Sequence, residues 1–384
     1  MFRLLHVSEF IKGGVSTYLN ALVREQLQDS RFSEIRIIAN QQHRQFLPDV
    51  PDENLVLYDH APRSLAGLNQ LRKVVRNTVR DYRPTLVQLT STFPGVIGRA
   101  NMWNRRWLSA RKPPAVVYCA QGWSFLMDTG AVKRFAYRSV ERLLSRQADR
   151  IICISNHELE AAVKVGISRD RCDLVYNALP GTAPAPEPVR IPDAVAAARS
   201  RGDRVFLFVG RYDKQKGLDL LRPVFDGAAD RGDILVMAGG KAVDAEPVQM
   251  GSRMFDTGWA SPGQVVSLLG LCDAMLVPSR WEGFGLVAAE AMRAGKAVIC
   301  SNRGGLPEVV EHQVTGVVLD SLSGESISQA LSQLTVRDLA ALGTAGRERF
   351  HSLFTSGRMH DLTMGVYHRA LNGIDVSINR ESVG

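Results

Sequence analysis

Long apolar runs are missing from this 384-residue sequence, and their absence excludes several classes of protein. A typical run, Val205 to Val209, has about five residues, whereas a membrane-spanning helix needs about 20. The N-terminus becomes polar directly after Val7, so its apolar segment is too short for a secretory signal. The sequence therefore predicts a soluble, cytoplasmic protein.

Cysteine is also scarce, with five residues and no C-x-x-C pair. Four of the five lie within or beside apolar, strand-like runs, which favours buried reduced thiols over a disulfide framework or a structural zinc site. Hydrophobic residues make up 45% and charged residues 22%, close to globular averages, which excludes collagen-like and wholly disordered chains. The cysteines are Cys119, Cys153, Cys172, Cys272 and Cys300.

Acidic residues are under-represented in the first half only. Residues 1–180 hold 26 Lys and Arg against 16 Asp and Glu, while residues 181–384 hold 21 against 23. A basic half indicates an anionic partner such as phospholipid, a lipid-phosphate carrier or nucleic acid, or else a solvated arginine-rich surface. The absence of a recognition motif disfavours nucleic acid.

Short β-like runs alternate with amphipathic segments along both halves, which predicts two α/β domains with parallel sheets wound by helices. A proline-rich stretch separates the halves and is typical of a linker. The predicted organisation is a first domain over 1–178, a linker over 179–192 and a second domain over 193–359, with a helix over 360–373 packing back on the first domain. In such sheets ligands bind at the carboxyl ends of the strands, so we expect the site in the cleft between the domains.

Four glycine-containing segments follow predicted strands, and each suits a phosphate-bearing ligand. Lys12-Gly13-Gly14-Val15 opens the first helix, and Asn302 to Glu308 contains a second glycine pair. Gly210 to Gly217 carries Arg211 and Lys216, two cations that suit a diphosphate leaving group. Each segment could instead be an ordinary turn.

The fourth segment, Ser279 to Glu290, carries two carboxylates that flank backbone N–H groups at a helix start. Carboxylates suit sugar and ribose hydroxyls because each accepts two hydrogen bonds. Glu282 and Glu290 are eight residues apart, so they can reach opposite ends of one ligand.

Together these segments resemble glycosyltransferase family 4, whose members are retaining, nucleotide-sugar-dependent enzymes of the GT-B fold. The resemblance is carried by Gly13-Gly14-Val15, Gly210-Arg211 with Lys216-Gly217, and the segment from Glu282 to Glu290. It implies an α/β chain with two Rossmann-like domains facing each other across a cleft. It spans essentially the whole chain and is most specific over 205–320.

The resemblance also implies a role for each matching residue. Arg211 and Lys216 would bind the diphosphate, Glu290 the ribose, and Glu282 the transferred sugar. Gly13 and Gly14 would approach the diphosphate from the first domain. The remaining donor contacts would be Gly210, Thr257, Gly258 and Trp259 near the base, and Gly283, Phe284, Gly285, Leu286 and Val287 near the sugar and phosphates. No metal is expected, and the nucleotide-sugar is a substrate rather than a cofactor.

Gln121 departs from the pattern, because many family members have a histidine at that place. A glutamine amide can bind a hydroxyl but cannot carry a proton near neutral pH. Retaining transfer remains possible if the departing diphosphate oxygen accepts the acceptor's proton. His6 and His157 are interpreted as structural residues.

Two basic segments of the first half combine cations with apolar side chains. Residues 99–112 contain five cations, two tryptophans and no acid, which favours contact with an anionic membrane surface. Residues 132–146 have an apolar stripe opposite their cations, and we expect that stripe to pack on the sheet.

The sequence therefore predicts a retaining hexosyltransferase that uses a UDP- or GDP-sugar. The expected acceptor is a lipid-linked glycan in bacterial surface or exopolysaccharide synthesis, with the enzyme peripheral on the inner face of the plasma membrane. The alternatives are a nucleotide-sugar epimerase of the same fold and a non-catalytic nucleotide-sugar-binding homologue.

Overall fold

The computed structural model describes residues 1–60, 64–103, 113–227, 232–241 and 250–381, and side chains only to 373 within the last helix. The chain forms two compact units. The first unit comprises Met1–Ala178 together with Ser356–Gly384, and the second comprises Leu179–Thr355.

The first unit is built on a seven-stranded, fully parallel sheet of order β3-β2-β1-β4-β5-β6-β7. Its strands are β1 (Phe2–Ser8), β2 (Phe32–Asn40), β3 (Leu55–Tyr58), β4 (Leu86–Thr90), β5 (Ala115–Cys119), β6 (Arg150–Cys153) and β7 (Cys172–Leu174). Its helices are α1 (Gly14–Leu27), α2 (Leu65–Tyr82), α3 (Thr92–Trp103), α4 (Ala131–Ser145), α5 (Asn156–Lys164) and the C-terminal α13 (Ser356–Glu381), which packs against α1, β5 and β6.

The second unit has a six-stranded parallel sheet of order β10-β9-β8-β11-β12-β13. Its strands are β8 (Val205–Tyr212), β9 (Ile234–Lys241), β10 (Met254–Asp256), β11 (Ala274–Val277), β12 (Ala297–Ser301) and β13 (Gly316–Leu319). Its helices are α6 (Asp193–Arg201), α7 (Leu221–Asp226), α8 (Pro262–Leu271), α9 (Leu286–Arg293), α10 (Leu306–Val309), α11 (Gly324–Gln333) and α12 (Val336–Leu353).

The alternation of strands and helices predicted from the sequence is confirmed, although three strands, β3, β7 and β10, were not predicted. The central strands β4, β5, β11 and β12 are buried along their whole length, so their sequences are mostly apolar, with Gln88, Thr90 and Ser301 as buried polar exceptions. The missed strands β3, β7 and β10 have three or four residues and lie at sheet edges. Periodicity alone does not distinguish a segment of three or four residues from part of a helix or a turn.

Local capping explains why several helices begin where they do. Ser261 forms a capping box with Gln264 at the start of α8, and Pro262 occupies the first turn, where its missing N–H costs nothing. Thr335 and Asp338 form the same arrangement at the start of α12.

The proline-rich stretch is irregular but is held on the second unit. The Glu187 N–H donates to the Gly263 carbonyl over 3.1 Å, and the Ser267 hydroxyl donates to the Glu187 carbonyl over 2.6 Å. Gln264 donates to the Pro188 carbonyl over 3.0 Å. The stretch is therefore tethered along α8.

A chain of buried polar side chains crosses the first unit. His6 lies 2.7 Å from Gln26, Gln26 donates to Tyr367, and Tyr367 donates to Gln88, which donates to Tyr18 over 2.8 Å. Burial lowers the pKa of His6 to about 4, so the imidazole is neutral. His6 is thus a core residue, as expected, while His157 is exposed on α5. All five cysteines are free and buried.

The expectation for the apolar stripe of residues 132–146 is wrong. Val132 is 84% exposed and Phe135 72% exposed, so the stripe faces solvent instead of the sheet. The buried side of α4 carries Glu141, which accepts hydrogen bonds from Arg99 over 2.7 Å and from Tyr118 over 3.0 Å. This ion pair and hydrogen bond orient the helix with its acidic residue inward.

The second basic segment is only partly described. Arg99 is fully buried, with its guanidinium 3.8 Å from the centre of the Tyr118 ring, so it is not available to a membrane surface. The other four cations of 99–112 lie outside the described residues. Among the described residues, no helix is long and apolar enough to cross a membrane.

Candidate active site

Three loops of the second unit lie together at the carboxyl edge of its sheet, around the point where the order of strands changes direction. The order changes direction between β8 and β11, and the loops after β8, β11 and β12 leave the sheet side by side. In parallel α/β sheets this position forms a crevice in which ligands bind. The sequence motifs at 210–217, 279–290 and 302–308 all lie on these loops.

An ion pair joins two of these loops. Lys216 Nζ lies 2.6 Å from Glu282 Oε2, and both side chains are largely buried, with 18% and 15% of their surface exposed. The Ser279 hydroxyl also approaches Glu282 Oε2, at 3.4 Å. The structure thus brings together two residues that the sequence placed 66 positions apart.

Arg211 occupies the end of β8 and is more exposed than Lys216. Its guanidinium lies 3.0 Å from Asp213 Oδ2 and donates to Gln215 Oε1 over 2.6 Å. Asp213 Oδ1 accepts the backbone N–H of Lys216 over 3.1 Å. Asp213 therefore holds the loop that carries both cations in one conformation.

The loop after β12 packs directly against the backbone of Glu282. Gly304 has φ +60°, and a Cβ there would lie 1.7 Å from the Glu282 carbonyl oxygen. Gly217 has φ +71°, and its Cβ would lie 2.0 Å from the Pro278 carbonyl oxygen. Both positions require glycine. The glycine pair at 304–305 was expected to admit a ligand, but Gly304 instead lies against the backbone of Glu282.

The helix α9 begins in this crevice. Gly285 caps it with φ +102°, so the N–H groups of Leu286 and Val287 belong to its first turn, where a helix offers free donors to an anion. Phe284 is buried against Phe354, with ring centres 5.4 Å apart, which anchors the loop containing Gly283.

Glu290 lies one turn further into α9, and its pKa is raised above the ordinary value for a glutamate. Burial raises its pKa to about 7, although Arg293 acts in the opposite direction. Within the described part of the chain, the carboxyl group of Glu290 accepts no hydrogen bond. Glu290 is therefore available to a ligand hydroxyl.

The segment Thr257 to Trp259 lies beside the carboxyl end of β9. Asp256 accepts a 2.6 Å hydrogen bond from Tyr212 and a 2.8 Å bond from the Gly258 N–H, which together shape the turn. Trp259 is 68% exposed, and its indole lies against Gly240, where a Cβ would be 2.2 Å from Nε1. An exposed indole that packs on a glycine backbone offers its other face for stacking against a flat ring.

In the first unit, Gly13 and Gly14 form the start of α1. Gly13 caps the helix with φ +58°, and nothing lies within 4 Å of the position of a Cβ. The Nζ atom of the neighbouring Lys12 lies 5.4 Å from the centre of the Phe46 ring and 5.8 Å from the centre of the Phe10 ring.

Gln121 follows β5 in the same unit and is locked by a second amide. Its Nε2 donates to Asn177 Oδ1 over 3.1 Å, while Asn177 Nδ2 donates to Gln121 Oε1 over 2.9 Å. The second N–H of Gln121 approaches the Cys119 sulfur at 3.3 Å. Gln121 has φ +54°, and Ser91, at the end of the neighbouring β4, has φ +78°. Non-glycine residues with positive φ cost energy and cluster at functional sites.

Two domain families cover most of the sequence. Residues 193–348 match the family described as Glycosyl transferases group 1, and residues 13–178 match the Glycosyl transferase 4-like domain. The chain is a glycosyltransferase.

This glycosyltransferase matches one relative over nearly its full length and another over about half of its length. It is 29% identical over 367 residues to an uncharacterized 41.2 kDa protein in the cps region of Klebsiella pneumoniae, covering 95% of this chain and 99% of that protein. It is 32% identical over 184 residues to a GDP-mannose-dependent alpha-(1-6)-phosphatidylinositol monomannoside mannosyltransferase of Mycobacterium tuberculosis, covering 41% of this chain and 47% of that one. The chain thus spans about half of the second relative.

Solved structures confirm the GT-B fold of this glycosyltransferase. Sucrose-phosphate synthase from Thermosynechococcus elongatus superimposes with a TM-score of 0.75 at 19% identity, covering 97% of this chain and 99% of that chain. HepE from Anabaena, solved with UDP-glucose, gives a TM-score of 0.72 at 16% identity, covering 95% and 99%.

Several residues of this glycosyltransferase that shape the candidate site were not predicted. Asp213, Asp256 and Asn177 act by holding site residues through hydrogen bonds, and Gly240 supports the indole of Trp259. Asp213 lies within the glycine-containing segment Gly210 to Gly217, three residues before Lys216, so the sequence does carry a local signal for it. The Asn177 pairing joins residues 56 positions apart and leaves no local pattern.

Proposed function

We propose that this glycosyltransferase moves a hexose, with retention of anomeric configuration, from a UDP- or GDP-sugar to a hydroxyl of a lipid-linked glycan. The observation that carries the proposal is the Lys216–Glu282 pair at the carboxyl edge of the second sheet. In this proposal Lys216 is the cation for the diphosphate, and the carboxylate directly beside it accepts the sugar hydroxyls.

We assign the donor contacts along the crevice of the second unit. Lys216 and Arg211 bind the diphosphate, and the first-turn N–H groups of Leu286 and Val287 add neutral donors. Glu282 accepts hydrogen bonds from the hexose, and Glu290 binds the ribose hydroxyls. The base lies against Trp259.

The chemical step needs no base other than the leaving group in this proposal. The bond between the anomeric carbon and the diphosphate oxygen breaks while the acceptor oxygen bonds to the same face of that carbon. The acceptor's proton moves to the departing diphosphate oxygen. Lys216 and Arg211 stabilise the negative charge that grows on that oxygen, so no divalent metal is required.

The lipid-linked acceptor is supported by charge and by one relative. The first 180 residues carry an excess of cations, and the mycobacterial relative is named for transfer to phosphatidylinositol monomannoside. By analogy, we place the enzyme at the inner face of the plasma membrane, in the synthesis of bacterial surface or exopolysaccharide.

The reaction is tested by proton NMR of the product formed from UDP- and GDP-hexoses with a lipid extract as acceptor source and a chelator present. Retention predicts a product whose one-bond C1–H1 coupling constant indicates the same anomer as that of the donor. An inverted anomer, or a strict need for added metal, would overturn this mechanism.

A further inference from the structure

The helix α4 of the first unit presents an apolar ridge to solvent. Val132 is 84%, Phe135 72% and Leu143 52% exposed, and the positions follow one another at helical spacing on one face. Single exposed apolar residues are ordinary, but three large ones along one helix form a patch.

Cations flank this ridge on both sides. Lys133 lies on one side, and Arg138 and Arg142 lie on the other, as the helical period of 3.6 residues requires. Arg146 directly follows the last residue of the helix. Among the described residues, none of these four forms an ion pair with an acidic side chain. The patch is therefore both apolar and strongly basic.

The single acidic residue of α4 is removed from this surface. Glu141 is buried, where it accepts hydrogen bonds from Arg99 and Tyr118. Because that contact fixes the rotation of the helix, the outward face carries apolar and basic side chains and the Ser139 hydroxyl, and no carboxylate of α4.

A cavity of about 410 Å³ opens beside the ridge. Phe125, Phe135 and Val165 contribute apolar walls, while Arg138, Arg142 and Lys164 line it with positive charge. The Lys164 ammonium also lies 4.0 Å from the exposed carboxylate of Glu160. Arg142 is placed by contact with Gly166, where a Cβ would lie 2.9 Å from its Nε. The cavity thus pairs apolar walls with a cluster of three cations.

We propose that the outward face of α4 docks on the surface of an anionic phospholipid bilayer. Val132, Phe135 and Leu143 enter the boundary between headgroups and acyl chains, and the flanking cations bind lipid phosphates. A lipid phosphate lies at the mouth of the cavity, between Arg138, Arg142 and Lys164. This inference deepens the acceptor part of the proposed function, but binding alone tests it, so its failure leaves sugar transfer unaffected.

The first test is sedimentation of the full-length protein with vesicles of phosphatidylglycerol and phosphatidylcholine, against vesicles of phosphatidylcholine alone. We expect binding to the mixed vesicles that weakens as salt is added. Arg138→Gln with Arg142→Gln, or Phe135→Ser with Leu143→Ser, should weaken binding roughly tenfold or more.

Matched controls are available on α2 of the same unit. Arg72 and Lys73 are exposed there, and Leu65 is 89% exposed. Arg72→Gln with Lys73→Gln removes the same charge, and Leu65→Ser removes an exposed apolar side chain. These variants should bind vesicles as the unmodified protein does. Equal loss in the α2 and α4 variants would overturn the specific site.

The second test reads insertion directly. The native cysteines are buried, so a thiol-reactive, environment-sensitive fluorophore should label Val132→Cys selectively. Its emission should shift to the blue on anionic vesicles, while the same label on Leu65→Cys should not respond. Undiminished vesicle binding by the α4 variants, or an unchanged Val132→Cys signal, would overturn the proposal. So would a dimer in solution that the Phe135→Ser with Leu143→Ser variant abolishes without changing vesicle binding.

Discussion

Lys216 Nζ and Glu282 Oε2 lie 2.6 Å apart, at the ends of two loops that leave neighbouring strands. Each side chain is the other's counter-ion, which keeps two largely desolvated groups paired. A bound donor would offer its diphosphate to Lys216 and its hydroxyls to Glu282. The pair is therefore already assembled in the arrangement that the proposed reaction needs.

Replacing Lys216 by Ala should lower turnover by roughly 10²-fold or more, because the cation would no longer stabilise the departing diphosphate. Lys214→Ala is the matched control, since that lysine is exposed on the same loop. Release of nucleoside diphosphate from the donor measures the effect. Near-normal turnover in the Lys216 variant would remove this residue from the mechanism.

The stability of the protein should fall as the pH rises from the ordinary pKa of a glutamate to the raised pKa of Glu290 in the folded state. Burial raises this pKa from 4.5 to about 7, so between those values the folded state binds more protons than the unfolded state. The free energy of unfolding then decreases with rising pH, by up to about 3 kcal/mol.

Glu290→Gln tests this linkage, because the amide carries no charge. Thermal unfolding should show that Glu290→Gln is more stabilising at pH 8 than at pH 5. Glu348→Gln, on the exposed side of α12, should show no such difference. Equal effects of Glu290→Gln at both pH values would contradict the raised pKa.

A side chain at position 304 should displace Glu282. In Gly304→Ala the new Cβ would meet the Glu282 carbonyl oxygen at 1.7 Å, in a backbone conformation that alanine disfavours. We expect a loss of about 1–3 kcal/mol in stability and a fall in turnover. Gly270→Ala, where nothing lies within 4 Å, is the control. A Gly304 variant with wild-type stability would show that the contact is dispensable.

Asn177 should act on turnover only through Gln121. If the paired amides hold Gln121 in one orientation, Asn177→Ala should lower turnover in the native background and have little further effect in Gln121→Ala. A double-mutant cycle on the steady-state rate measures this coupling. Independent, additive losses would show that Asn177 has a separate role.

Much of the fold could be read from the sequence because its central strands are buried on both faces. Continuous apolar runs such as 274–277 identify such strands, and α8 is marked by its Ser261 cap and Pro262. The short edge strands β7 and β10 each contain an aspartate and lack that signal, whereas β3 is apolar but was not predicted. The orientation of α4 depended on a buried ion pair between Glu141 and Arg99, 42 positions apart, which no local periodicity reveals.

The candidate site was predicted in part for a similar reason. Arg211, Lys216, Glu282 and Glu290 lie in segments with dense glycine and charge, so the sequence marks them. Their mutual geometry depends on the loop pairing at the edge of the sheet. The support from Asp213, Asp256 and Asn177 is visible only once distant segments are brought together.

The most direct measurement of the central claim is a thermal-unfolding panel with UDP, GDP, ADP and their sugar conjugates, run on the native protein and on Glu290→Ala. A ligand that binds only the folded state raises the melting temperature by mass action. We predict that UDP or GDP, with its sugar conjugate, stabilises the native protein clearly, and that Glu290→Ala reduces the shift. No stabilisation by any nucleotide would contradict a nucleotide-sugar site in the second unit.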